Sequence, residues 1–408
     1  MLPERGEPLD VLIAGAGPAG SATATFLARA GYRVLAVDRA AFPRDKPCSE
    51  YMSPETVRIL ARLRVVEVLE RAGAFALEGM KVTGPGGATA HGRFALAGHQ
   101  PFRTTGLSVS RRILDHQLVI AARQAGAVVA ERAWVEELLY DEGTVAGAVV
   151  RDQAGQRHAL RARLTVGADG LRSIVARRIG RRTHGRPHRM AFVAHVARVR
   201  NMGASAELHF GRSAYLGLNQ IGHEQTNVAV VVPSERAALA AGNAEDFFVS
   251  ALGDFPEVRE RVEAGRLMRP VLATGPFAAR SSTVVAPGAV LVGDAADFFD
   301  PVTGDGIYTA LRGAELVAET AAAALSRPGP LTVDRLAEYR RRRRREFAAK
   351  WVMERMIGYA LSFPRLFDRG VARLGRRDGM AHTVIGFAGG FVPAREVMNP
   401  AFLARMIL

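Results

Sequence analysis

The chain has 408 residues, too many for one compact core and enough for two intertwined domains with an appendage. Its 48% hydrophobic and 23% charged content is that of an ordinary globular protein. The net charge is +15 and all but three of the 55 basic residues are Arg, yet they are spread along the chain without a nucleic-acid motif, which argues against a nucleic-acid partner.

The lone cysteine, Cys48, excludes an internal disulfide and fits a reducing, cytoplasmic setting; no metal is expected. After an acidic, proline-containing start, Leu9 to Gly17 reads as a buried strand entering a glycine turn, not as a leader. No charge-free stretch of about 18 residues is long enough to cross a bilayer. Leu9 to Ala14, Pro18 to Ala30 and Tyr32 to Val37 predict a strand, a helix and a strand, a βαβ opening. Residues 54 to 71 show helical spacing, 80 to 105 irregular strands, and Ile113 to Gln124 a helix ended by Gly126. Val145 to Arg151 and Leu164 to Val166 predict strands. Period-two alternation in Ala191 to Val199, Ala206 to Phe210, Tyr215 to Ile221 and Thr226 to Val232 predicts an inserted antiparallel sheet. Ala289 to Val292 is a buried strand and Gly306 to Leu325 an Ala-rich helix; helix continues to about Arg373, and the last thirty or so residues read as irregular.

Gly15-Ala16-Gly17-Pro18-Ala19-Gly20 stands between the first strand and helix. Gly15 permits the tight turn, Gly17 lets backbone approach a pyrophosphate, and Gly20 allows close helix packing, with the phosphates at the helix N-terminus. Asp38, eighteen residues after Gly20, ends the second strand where an acid accepts ribose hydroxyls, with Arg39 next to it. Gly167-Ala168-Asp169-Gly170 and Gly293-Asp294-Ala295-Ala296 each follow a strand. The second leads to Asp300-Pro301-Val302-Thr303-Gly304-Asp305-Gly306-Ile307 and a helix, whose first turn offers amide donors and a positive dipole to an electron-rich ring.

With the Arg111 to Asp115 segment (Arg-x-x-Leu-Asp), these motifs occur in the order seen in the large FAD family of aromatic hydroxylases, geranylgeranyl reductases and flavin halogenases. The chain resembles that family from residue 11 to about 320. The resemblance implies an α/β fold: a glutathione-reductase-type Rossmann FAD domain (1–79, 106–180, 279–328), an inserted, mainly antiparallel β substrate domain (80–105, 181–278), and a helical C-terminal region (329–408). It implies FAD, with electrons from NAD(P)H directly or through a separate flavin reductase. By resemblance Gly15, Gly17, Pro18, Ala19, Gly20 and Arg111 lie at the diphosphate, Asp38 and Arg39 at the adenosine, and Asp169 near the turn. Gly293 and Asp294 then hold the ribityl chain, and Pro301, Gly304, Asp305, Gly306 and Ile307 line the isoalloxazine. Pro43 to Glu50 resembles a loop that crosses the flavin in the reductase and halogenase branches, bringing Lys46, Cys48 and Ser49; those branches usually have glycine where this chain has Ser49.

No second glycine fingerprint and no Cys-x-x-x-x-Cys pair follow, so a disulfide-reductase is excluded. The first expectation is a monooxygenase that hydroxylates an aromatic or polycyclic natural-product-type molecule with O2 through a flavin C4a-hydroperoxide. The alternative is reduction of isoprenoid double bonds, which the Cys48 loop favours and the lack of an aromatic-x-Trp-x-aromatic-Pro segment disfavours. A halogenase, of whose lysines only Lys81 falls in a pocket strand, and a non-catalytic flavin-binding protein come behind. Tyr215, Gly217 and Asn219 share one strand face. His195, His209 and His223 are nearby polar residues, each more often a satisfied core or surface histidine than a contact. His209 and Tyr215 are the candidate bases, and Cys48 is either a small buried thiol or a participant. Arg340 to Arg345 reads mainly as a solvated helix face, with contact to an anionic membrane as the sharper reading.

Overall fold

The computed structural model describes residues 9–407 except 187, 241 and 378; the acidic start lies outside the described residues. β1 (Leu9–Ala14), α1 (Pro18–Arg29) and β2 (Val34–Asp38) form the βαβ unit, with β1 and β2 paired in parallel. Helices cover one face of this sheet and a second apolar layer covers the other, so its strands are continuously apolar. α2 (Arg111–Gln124) packs beside α1. β3 (Arg157–Gly167) has two roles: Arg157 to Arg161 pair antiparallel with Thr144–Arg151, and Ala162 to Gly167 pair in parallel with β1. Its burial follows this division, with exposed arginines first and a buried run from Leu164 onward. β4 (Ala289–Leu291) joins β3, and α3 (Gly306–Leu325) packs over α1.

Local chemistry explains where the elements differ from expectation. The 54–71 segment is two helices, because Arg64 takes a left-handed φ of 63° after Pro54–Leu63 and Val66–Arg71 begins a new helix. Trp134–Asp141, not expected as a strand, pairs with Thr144–Arg151 to make a hairpin.

The second sheet runs in the order Arg266–Leu267, Arg189–Ala197, Gln225–Pro233, Tyr215–Gly222, Ser205–Phe210, Gly79–Thr83, Thr89–Arg93. All pairs are antiparallel except Ser205–Phe210 with Gly79–Thr83. The alternation assigns its faces. Phe192, Ala194, Leu216, Leu218, Val228 and Val230 pack under the helices Ala244–Leu252 and Pro256–Glu263. Ala191, Val193, Phe210, Tyr215, Ala229 and Val231 face the parallel-sheet domain and meet Val302 and Leu361.

α4 (Val333–Ala360) is capped by Thr332, whose side chain accepts from the Arg335 amide. The final residues depart from the irregular reading. Met380–Ala388 and Pro400–Ile407 are helices, and the former lies so close to Thr89–Arg93 that a Cβ at Gly92 would stand 2.3 Å from Ile385 Cγ1. Gly389, Gly390 and Pro393 form the break between short helices, so the local signal marks a turn within a helical tail rather than an irregular one.

The Arg340 to Arg345 run is not uniformly solvated. Arg343 is buried, makes two 2.9 Å bonds to Asp297, and lies over the Phe347 and Trp351 rings. Arg343→Ala leaves Asp297 without this partner and should lower unfolding free energy by about 3 kcal/mol. Arg344→Ala, on the exposed side, should change it by less than about 0.5 kcal/mol. Urea denaturation of both variants checks the pair.

Candidate functional site

The glycine turn is set by contact. Gly15 has φ 94°, and a Cβ there would lie 2.5 Å from the Ala168 carbonyl oxygen. At Gly20 a Cβ would fall 1.8 Å from the Gly15 oxygen. These distances admit only glycine. α1 begins at Pro18 with no side-chain cap and no acid in its first turn, so its open amides favour an anion. Asp38 accepts from the Ala16 and Ala40 amides, each at 2.8 Å, which fixes it at the mouth of the turn; Arg39 is exposed beside it.

Cations converge on the same place. Arg44 Nη1 is 3.0 Å from Asp115, and its Nη2 lies 3.6 Å from where a Gly17 Cβ would be. Arg111 is buried and grips Asp115 through bonds of 2.6 and 2.7 Å. Lys46 Nζ lies 3.9 Å from a Cβ position at Gly170, with Asp294 among its electrostatic neighbours. Asp294 and Ala295 sit on a short turn whose carbonyls accept from Arg182 at 2.7 and 2.6 Å. Asp169 accepts from the Ile174 amide at 2.7 Å, and its buried Oδ1 has no partner among the described residues.

The loop after Pro43 is tied down by a residue not singled out in the sequence. Glu50 is 1% exposed and left-handed at φ 60°. Its Oε1 accepts from the Arg111 amide at 2.8 Å. Its Oε2 accepts from Asn227 Nδ2 at 2.9 Å and lies 2.8 Å from His195 Nε2. Asn227 also donates to the Cys48 carbonyl. Ser49 lies between the two, half-buried. Burial pushes the Cys48 thiol up, so it is a thiol rather than a thiolate at neutral pH, and its sulfur accepts from the Glu50 amide.

The Asp300-to-Ile307 turn is gripped from two sides. Asp300 caps the turn at Val302, takes Arg189 at 2.7 Å, and accepts from the Tyr215 hydroxyl. Gly304 has φ 70°, and the Tyr51 ring lies 3.0 Å from its Cβ position. Tyr51 is buried with no partner for its hydroxyl among the described residues; burial and Asp305 push its ionisation up. From α4, Lys350 binds Asp305 at 2.7 Å and Glu354 accepts from Thr303. Burial, with Asp305 and Asp300, pushes Glu354 up to about 8. Gly306 opens α3 with no side-chain cap, leaving its amides free, and Ile307 is buried in the core.

The substrate candidates divide by strand face. Tyr215, Gly217 and Asn219 share the inner face; Asn219 Nδ2 and the facing Asn227 Oδ1 have no partner among the described residues. His195 is on that face too, committed to Glu50. Tyr215 is committed to Asp300, and burial pushes its hydroxyl well up, so it is not a ready base. His209 is opposite Leu216 on the outer face, 2.8 Å from Glu207. Burial opposes the Glu207 charge, but Arg261 and His209 hold its carboxyl down to about 2. The pair belongs to the helix-covered side and does not join Tyr215. Lys81 is in register with Glu207 and exposed, and His223 is at an exposed hairpin tip.

The profile of the FAD binding domain family matches residues 8–355. The chain belongs to this family. It is 28% identical to digeranylgeranylglycerophospholipid reductase 1 of Methanococcoides burtonii over 78% of this chain and 75% of the relative. It is 30% identical to menaquinone reductase of Mycolicibacterium smegmatis over 76% and 75%. Among solved structures it shares the fold of the myxobacterial chondrochloren halogenase, with a TM-score of 0.78, 24% identity, and 98% and 89% of the two chains covered. The protein is a flavin-dependent oxidoreductase with FAD as its cofactor.

The residues present fit FAD: glycines where a Cβ would collide, open amides at α1 and α3, three cations at the turn, and buried polar atoms without partners. Gly20→Ala should yield protein of native far-UV circular dichroism with less than about a tenth of the wild-type FAD absorbance. A second outcome concerns pH. A carboxyl in an unfolded chain ionises near about 4.3, so between there and about 8 the folded state keeps a proton at Glu354 that the unfolded state has released. Stability falls as pH rises through that window. Glu354→Gln should remove this fall, so the variant's Tm advantage grows from about pH 4.5 to 8 and then levels off.

Proposed function

We propose that the protein reduces isoprenoid carbon–carbon double bonds of a lipid. The observation that carries this reading is that the two curated relatives above are both reductases, one of a digeranylgeranyl glycerophospholipid and one of menaquinone, a quinone with an isoprenoid tail. The fold itself is shared with a halogenase and does not choose the reaction.

FAD, once reduced, supplies a hydride equivalent. The chain must then exclude water, place an alkene, and deliver a proton to the second carbon. The inner sheet face with Phe210, Ala229 and Val231 is apolar enough for a hydrocarbon. Two groups at the end of the Pro43-to-Glu50 loop stay protonated at neutral pH, the half-buried Cys48 thiol and the buried Tyr51 hydroxyl. They are the proton sources of this reading. Anaerobic holoenzyme reduced with dithionite should add two hydrogens per double bond to a geranylgeranyl glycerolipid. Tyr51→Phe or Cys48→Ala should slow this about 10²-fold while leaving dithionite reduction of the flavin unchanged. Product bearing one oxygen atom and formed only with O2 overturns the reading in favour of hydroxylation.

A lipid substrate also suits the outer side of α4. Val352, Met356 and Tyr359 on α4, with Phe363 and Leu366 just beyond its end, are 43, 41, 56, 63 and 46% exposed. The exposed Arg344, Arg345, Arg365 and Arg369 have no acidic partner among the described residues. An apolar stripe edged with free guanidinium groups matches an anionic bilayer surface. No helix among the described residues is long and apolar enough to cross a membrane. Holoenzyme should sediment with phosphatidylglycerol vesicles and not with phosphatidylcholine vesicles. Met356→Ser with Phe363→Ser should abolish this, and sedimentation that survives the pair removes the surface from the reading.

A further inference from the structure

Asp305 stands at the head of α3, where an aspartate ordinarily caps the helix by accepting from its first amides. Here it does not cap. Its backbone, at φ −80° and ψ 3°, lacks the extended conformation of a cap, and its Oδ2 is drawn to Lys350 Nζ at 2.7 Å. The buried Oδ1 has no partner among the described residues. α3 therefore begins with open amides and a buried carboxyl group beside them. The amides favour an anion at this turn and a carboxylate opposes one, so the local field depends on what neutralises Asp305.

Among the described residues Lys350 alone pairs with it. Burial pushes the Asp305 carboxyl up and Lys350 draws it back. The ammonium group is held from three sides: it also donates to the Ala388 carbonyl at 3.1 Å and lies 4.3 Å from the centre of the Tyr308 ring. No other neighbour can take its place. Arg189 is spent on Asp300 and the Gly358 carbonyl, and Asp300 and Glu354 are acids. Tyr51 and Tyr308 are phenols whose ionisation burial pushes up, and the Tyr308 hydroxyl is given to Glu346. The charge of Asp305 is felt across the turn, since it adds to the upward push on both Tyr51 and Glu354.

We propose that Lys350, on α4, sets the reduction potential of the bound flavin by neutralising Asp305 at the head of α3. Reduction of a flavin by two electrons and one proton leaves one negative charge on its ring, and a charge fixed nearby changes the cost of that step. With Lys350 in place the open amides of α3 dominate, and the reduced form is favoured. Without it, Asp305 opposes reduction. FAD lying at the Asp300-to-Ile307 turn is the premise, and the expected effect is the same whether the reduced flavin serves an alkene or O2. The helical tail then contributes to the cofactor's electronics through one side chain.

The experiment is an anaerobic redox titration of the holoenzyme against indicator dyes, with no lipid and no O2, so its result is independent of the reaction. Lys350→Met should lower the midpoint potential by at least about 30 mV, a tenfold change in the equilibrium of a two-electron couple. Asp305→Asn should raise it, Lys350→Arg should leave it near the wild-type value, and Lys350→Met combined with Asp305→Asn should return it there. Opposite signs in the two single variants, cancelling in the pair, are not expected of a merely structural contact. Should Lys350→Met lose its FAD, the rise in Asp305→Asn carries the test. A midpoint unchanged in Asp305→Asn, the same direction of shift in both single variants, or a double variant as low as Lys350→Met overturns the proposal.

Discussion

Three parts of the molecule meet at one carboxylate. Glu50 joins the loop after Pro43, the start of α2 and the inner face of the antiparallel sheet through Arg111, His195 and Asn227. An anion 1% exposed is costly to bury unless each oxygen is satisfied, and here both are. Its left-handed φ of 60° is a conformation that side-chain-bearing residues seldom adopt, held because the surrounding bonds over-determine it. The loop carrying Cys48 therefore has one position relative to the start of α2, and the antiparallel sheet is locked to the same reference.

The Asp300-to-Ile307 turn is fixed by the opposite device, a group of acids held by two cations. Asp300, Asp305 and Glu354 are all buried, against Arg189 and Lys350. Three carboxyls facing two cations cannot all ionise cheaply, and Glu354 is the one that stays protonated. The neutral acid still accepts from Thr303, so the turn loses no bond. The result is a rigid backbone whose amides at Gly306 are free, because no side chain caps α3.

Much of this was legible in the sequence, and the reasons for the rest are physical. The glycine fingerprint, Asp38 and the two later glycine turns were readable because backbone approach to a nucleotide restricts the residue type at fixed spacing. Strand alternation correctly put Tyr215, Gly217 and Asn219 on one face. His209 was grouped with them by proximity along the chain, but the neighbouring strand's register puts it with Leu216 on the other side. Glu50 stands within the loop motif, but a single acid in a Pro- and Arg-containing segment looks solvated until its long-range partners are known. Lys350 and Glu354 were hidden similarly: they lie in a helix dense with charge, where inward and outward positions have nearly the same composition.

That helix explains why the tail is packed into the body of the protein and is not an appendage. On α4, Lys350, Glu354 and Gly358 face inward and bond to the Asp300-to-Ile307 turn or to the Arg189 that supports it. Val352, Met356 and Tyr359, about half a turn out of phase, are exposed. A helix this rigid cannot move one face without the other, so whatever settles on the apolar stripe is held within a helix diameter, about 10 Å, of the turn. A long hydrocarbon substrate gains from that arrangement because the apolar surface that holds its bulk is fixed to the backbone that positions its reacting bond. The buried acids and the exposed stripe are two consequences of one helix that turns one face to the Asp300-to-Ile307 turn and the other to solvent.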